Sequence, residues 1–209
     1  VAAYGGAVSA APHGIRAVTA ALDGSSAVVE VSTALTGTAD SVTYELVDAE
    51  GQVLATAEGL GTVQLAANGI TPWTPETPAL YTLRVTVTAN GTADTAEQRI
   101  GIRTIQVSSK TGLLLNGQPR TMKGGCIHHD LGILGSADHA AAERRRIRLM
   151  KESGFDAIRA AHNPFGPAFL DACDELGMLV VEEAFDEWVM GRTSFGLHVT
   201  FEQCWEKRP

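Results

Sequence analysis

The sequence predicts a multidomain chain, all-β in its first half and α/β in its second. Three observations carry that reading. From Gly14 to about Ile105 the apolar residues recur with a period near two, in short runs separated by glycine-containing turns. After about Thr121 the rhythm changes to apolar strand, amphipathic helix, apolar strand. Between the two lies Asn116-Gly117, a dipeptide suited to the positive φ angles of a two-residue hairpin turn.

In the first half, SAVVEVSTAL, SVTYELVDA, QVLATAE, GTVQLAA, LYTLRVTVTA and TAEQRIGIR are rich in Val, Thr, Ile and Tyr, which suit a pleated, half-buried surface. Asp23-Gly24, Glu50-Gly51, Glu58-Gly59, Asn68-Gly69 and Asn90-Gly91 part them as turns. Roughly seven strands with no helical period between them predict an antiparallel β-sandwich. It is immunoglobulin-like in architecture, without the Cys…Trp…Cys pattern of antibody domains. TPWTPETPAL (71–80) carries three prolines and must cross between strands outside any ladder. SSKTG (108–112) is expected to be a hinge, which sets the domains at 1–107 and 108–209.

The second half opens with LLLNGQPRTMKG, a tight hairpin, and TMKGGCI, a strand ending at His128. DHAAAERRRIRLMKESG is a helix with Asp138 as N-cap and Gly154 as its stop. FDAIRAA is the second strand. PAFLDACDELG is a helix with Pro167 in its first turn and Gly177 closing it. MLVVEEAF is the third strand, and TFEQCWEKRP begins a third helix. Near-continuous apolar strands alternating with helices predict a parallel sheet, in a barrel or a doubly wound arrangement. KGGC precedes a strand end and opens no helix, so a dinucleotide phosphate loop is not expected.

Composition narrows the function. The 209 residues carry a formal charge of −8, which disfavours nucleic acid or an anionic membrane as partner. The exception is ERRRIRLMK (143–151), where Ile147, Leu149 and Met150 suit the apolar side of a helix and four arginines its solvated face. No run is long enough to cross a bilayer, and VAAYGGAVSAAP lacks the basic region and apolar core of a signal peptide, so a cytoplasmic location is expected. Cys126, Cys173 and Cys204 are far apart with no CxxC spacing, which predicts neither a disulfide framework nor a zinc site. Cys126 and Cys173 read as buried small hydrophobes.

Each strand of the second half ends in ionisable or hydrogen-bonding groups: His128-His129-Asp130, then Arg159 with His162-Asn163, then Glu182-Glu183 with Asp186-Glu187-Trp188. The carboxyl ends of parallel strands are where such folds place their sites. Adjacent His128 and His129 alternate in direction on a regular strand, which disfavours a shared metal. No Gly-x-Ser-x-Gly is present for acyl transfer. Histidines, carboxylates, an amide and a tryptophan are the groups that wall a sugar pocket. Arg159, inside an apolar strand, is expected to be buried and to need a carboxylate, either Glu183 on the next strand or one beyond this chain.

TPWTPETPALYTLRV, LLLNGQPRTMKGGCIHHD and MKESGFDAIRAAHNPFGPAFLDACDELGMLVVEEAFDEW resemble glycoside hydrolase family 2, the β-galactosidase/β-glucuronidase family. The likeness spans about residues 14–205. It implies an immunoglobulin-like sandwich followed by the first part, about three strands, of a (β/α)8 TIM barrel. It also implies hydrolysis of terminal β-glycosidic bonds with retention, by one glutamic acid that protonates the leaving oxygen and one glutamate nucleophile.

By that resemblance the substrate-binding residues are His128, His162, Asn163, Asp186 and Trp188, supported by Arg159 and Glu183. Arg159 would sit beside the nucleophile. No catalytic residue is expected within this chain, because both glutamates would lie beyond Pro209. Glu182-Glu183 stands where the family commonly has Asp-Glu. Some members hold magnesium through Glu-x-His, but Glu187 is followed by Trp188-Val189, so no cofactor is carried over.

The chain is thus expected to be a segment of an exo-β-glycosidase acting on β-D-galactosides. The alternative is a non-catalytic carbohydrate-binding or assembly module. The partner is a β-linked sugar, and an open sheet edge would favour homo-oligomers.

Overall fold

A computed structural model describes the backbone of residues 9–205 and the side chains of 14–203 and 205. The stretch 1–12, read above for a leader, and the thiol of Cys204 fall outside the described side chains. The chain divides into two compact units, Val1–Thr121 and Met122–Pro209.

In the first unit, β1 (Ser9–Asp23), β2 (Ser26–Thr36) and β5 (Val63–Ala67) form one antiparallel sheet. A second sheet runs in the order β4 (Val53–Glu58), β3 (Ser41–Val47), β6 (Tyr81–Ala89), β7 (Thr92–Ile100). Strict alternation in β3 and β6 sends Val42, Tyr44, Leu46, Leu83, Val85 and Val87 into one core with Val29, Val31 and Leu65 of the facing sheet. The predicted sandwich is therefore the observed one. The long strand β1 is the element that the six named runs missed; its core-facing residues Ile15, Ala17 and Leu22 are only partly buried. Asn90 and Gly91, at φ 51° and 74°, make the β6–β7 turn.

The proline-rich crossing is pinned at Trp73, which is fully buried and donates its backbone N–H to Ile102 O at 2.8 Å. The Arg103 guanidinium lies 4.4 Å from the Trp73 ring centroid. SSKTG is not a hinge: it is the turn joining β8 (Ile105–Ser108) to β9 (Gly112–Leu115), with Ser108 paired to Gly112. β9 then pairs with β10 (Gln118–Pro119) through Asn116-Gly117, at φ 50° and 74°. The Asn116 side chain accepts from Thr104 N–H and donates to Trp73 O, which ties this small sheet to the sandwich unit.

The second unit runs β11 (Gly124–Ile127), α1 (Ala140–Glu152), β12 (Ala157–Ala160), α2 (Pro167–Leu176), β13 (Leu179–Glu182) and α3 (His198–Cys204). The three strands are parallel and adjacent in chain order. Ile147, Ile158, Ala160, Phe169, Cys173 and Met178 pack between strands and helices. A Cβ at Gly124 would collide with the Ala157 carbonyl, so glycine lets β11 lie against β12. Gly154 at φ 87° follows α1, and Gly177 at φ 76° closes α2.

Three local expectations are corrected. Asp138 does not cap α1, which begins after His139 with no side-chain cap. Its Oδ2 instead accepts the Ala168 N–H at 3.0 Å, capping α2, whose first residue Pro167 has no N–H to offer. Leu149 is 40% exposed, because the helix face in contact with the core is centred on Ile147. Cys126 is exposed, while Cys173 is buried as predicted and burial pushes its thiol well up.

Candidate functional site

The register of the parallel sheet decides what meets at its carboxyl edge. Ile158 and Ala160 point toward the helices, so Arg159 between them points to the opposite face. Cys126 and Val181 are its partners in register on the two neighbouring strands, and both are exposed there. Glu183, two residues beyond Val181, follows the same parity. Arg159 is therefore not the buried guanidinium that the sequence suggested: its side chain is 44% exposed on the face without helices.

Its carboxylate is Glu183. Arg159 Nε donates to Glu183 Oε1 at 2.8 Å, and Nη1 approaches Cys126 Sγ at 3.3 Å. The Cys126 sulfur first, then Glu183, strengthens the guanidinium's hold on its proton. Burial alone would raise the Glu183 carboxyl, but the Arg159 hydrogen bond and charge, with His162, outweigh it and hold Glu183 below its ordinary value.

The other oxygen, Oε2, lies 3.2 Å from His162 Nδ1. His162 follows a cis peptide from Ala161. Asp186 Oδ1 is 3.7 Å from the same nitrogen, and Asp186 also pairs with Arg192. The His128 ring stands 5.1 Å from the His162 ring, centroid to centroid. His128, His162, Glu183, Asp186 and Arg159 thus converge at the ends of β11, β12 and β13.

Two predicted residues take other positions. Asn163 is exposed, and its carbonyl oxygen meets His129 Nε2 at 3.2 Å. Trp188 is 61% exposed, edge-on to Phe185 and tilted against Phe201. His129, as the strand alternation predicted, turns away from His128 and stacks on Phe165 at 3.9 Å between centroids. Glu182 accepts the Phe165 N–H at 2.5 Å, fixing the turn that carries His162.

The sequence reading named Glu187 among the strand-end carboxylates but not its burial: it is 4% exposed. Its Oε2 meets His198 Nδ1 at 3.0 Å and its Oε1 accepts the Arg192 N–H at 2.9 Å. His198, then that backbone N–H, holds its carboxyl below the ordinary value. Both Glu187 oxygens are thus engaged, and Val189, not a histidine, stands two residues on. The signal that could have found this pairing is Gly191 and Gly196, where a Cβ would strike His198 and Glu187.

Comparison with known proteins matches residues 15–103 to "Glycosyl hydrolases family 2" and residues 105–206 to "Glycosyl hydrolases family 2, TIM barrel domain". A protein of Bacteroides ovatus named beta-galactosidase BoGH2A is 35% identical over 93% of this chain, which spans 25% of that protein's length. The crystal structure of a glycosyl hydrolase family 2 member from Bacteroides cellulosilyticus superposes with a TM-score of 0.84 at 33% identity, over 93% of this chain and 27% of that one. A beta-D-glucuronidase structure from Dictyoglomus thermophilum gives a TM-score of 0.75 at 28% identity, over 82% of this chain and 29% of that one. The chain therefore spans about a quarter of the length of these three proteins.

Proposed function

Because this chain belongs to glycosyl hydrolases family 2, we propose that it is a segment of a retaining exo-β-glycosidase that acts on terminal β-D-galactosides. Its sandwich is followed by the start of the family's TIM barrel domain. In this reading the barrel segment supplies part of the sugar subsite, and the acid and nucleophile glutamates lie beyond Pro209.

The observation that carries the proposal is the Glu183 carboxylate shared between Arg159 and His162, with His128 alongside. An imidazole that gives Nδ1 to a carboxylate has its tautomer and ring orientation set, leaving Nε2 for a sugar hydroxyl. Arg159 keeps Glu183 ionised and has further N–H capacity for a second carboxylate, the position proposed for the nucleophile. The exposed Trp188 offers an indole face to the pyranose, and Asp186 offers an acceptor for hydroxyl protons.

The galactoside reading has its own support. The relative named beta-galactosidase spans 93% of the chain. No metal is part of the proposed chemistry.

The test is turnover of nitrophenyl β-D-galactoside by the rigorously purified chain and by the product of its gene read past codon 209. The proposal expects no hydrolysis from the chain and retaining hydrolysis from a longer product. Turnover by the 209-residue chain that disappears in His162→Ala would overturn the placement of the catalytic glutamates. A gene that ends at codon 209 would favour the non-catalytic binding module.

A further inference from the structure

Four arginines on α1 look from sequence like one solvated face, and Arg146 does not belong to it. Its side chain is 17% exposed and points back toward the carboxyl end of β11. Nε and Nη2 both donate to Glu143 Oε2, at 3.0 and 2.6 Å, and the Glu143 side chain is 5% exposed. Nη1 donates to two backbone carbonyls, Asp130 O at 3.1 Å and His128 O at 3.3 Å. The guanidinium also lies 5.7 Å from the ring centroids of Phe165 and Phe169.

We propose that Arg146, held by Glu143, is a positioning residue for His128: its Nη1 fixes the His128 and Asp130 carbonyls at the end of β11. Those two carbonyls bracket His129, whose ring is itself stacked on Phe165. The backbone at the end of β11 is therefore held on both sides, and the direction of the His128 side chain toward His162 follows. A solvated arginine would gain nothing from this geometry. A charge-assisted donor shared by two carbonyls and backed by a buried carboxylate is one of the stronger ways to fix irregular backbone. Only a guanidinium can serve Glu143 through one edge and the carbonyls through another; an ammonium cannot do both. The consequence for sugar binding rests on the functional reading above, while the positioning of His128 does not.

The test uses the 209-residue chain labelled at histidine, compared with Arg146→Met, Arg146→Lys and Glu143→Gln. Imidazole signals are read by NMR without sugar, then affinity is read with isopropyl β-D-galactoside as probe. Arg146→Met is expected to move the His128 and His129 signals while leaving that of His198, held by Glu187, in place, and to weaken the probe about tenfold. Arg146→Lys is expected to restore part of both, and Glu143→Gln to give a smaller displacement in the same direction.

Unmoved His128 signals in Arg146→Met overturn the proposal. Should that variant fail to fold, unmoved signals in Glu143→Gln overturn it equally. Displaced His128 signals in a chain whose wild type binds no galactoside support the positioning role and count against the sugar reading alone.

Discussion

Glu183, one residue past the end of β13, pairs at 2.8 Å with Arg159 on the adjacent parallel strand β12, and the pair organises the edge of the sheet. The same carboxylate reaches His162 with its second oxygen, so one anion sets both a cation and an imidazole.

Glu183→Gln is expected to release His162 and to weaken binding of a β-galactoside about tenfold, the scale of a charge-assisted hydrogen bond. The pH dependence has a definite sign. The folded Glu183 carboxyl lies below its ordinary value of 4.5, so the pair stabilises the fold fully above that value and loses its contribution as pH falls through the lowered one. The gap in unfolding midpoint between wild type and Glu183→Gln should close as the pH is taken below 4.5. A gap that widens below that value contradicts the assignment.

Gly124→Ala should damage the second unit selectively. Its new methyl would meet the Ala157 carbonyl, a backbone atom with no room to move without loosening the β11–β12 ladder. Overpacking of this kind costs about 1–3 kcal/mol. Hydrogen exchange is expected to accelerate across β11, β12 and β13 while the sandwich strands keep their protection.

Leu83→Ala tests the sandwich in the opposite sense. Leu83 is fully buried between the two sheets, and truncation there should cost about 2–5 kcal/mol. Denaturant unfolding followed at the sandwich should shift to lower midpoint by that amount.

Asn116→Ala removes a side chain that serves both Thr104 N–H and Trp73 O, and places alanine at a positive φ. Leaving those part-buried groups unpaired should cost about 1–3 kcal/mol. Asn116→Gly, which accepts the turn conformation but not the bonds, should recover only the backbone share.

Much of the fold was legible in the sequence, because alternation in the first half and strand–helix exchange in the second are repeated signals. The strand-end position of His128, His162 and Glu183 followed from the same pattern. What escaped has physical reasons. Asp138 looked like a cap for the helix beside it, and only folding brings it to the helix that starts with Pro167. Arg159 looked buried because its strand neighbours are apolar, while the pleat puts it on the other face. Arg146 is indistinguishable from Arg144, Arg145 and Arg148 until the end of β11 comes back over α1. SSKTG has hinge composition, and only the pairing of β8 with β9 makes it a turn.

The most direct measurement of the central claim is kcat/KM for nitrophenyl β-D-galactoside with the product of the complete reading frame, wild type against His162→Ala. The account predicts a loss of at least about a hundredfold, the scale of a preorganised hydrogen bond strengthened in the transition state, with an unchanged circular dichroism spectrum. A His162→Ala enzyme that keeps wild-type kcat/KM, with the fold intact, would contradict the assignment of this strand-end cluster to the sugar site.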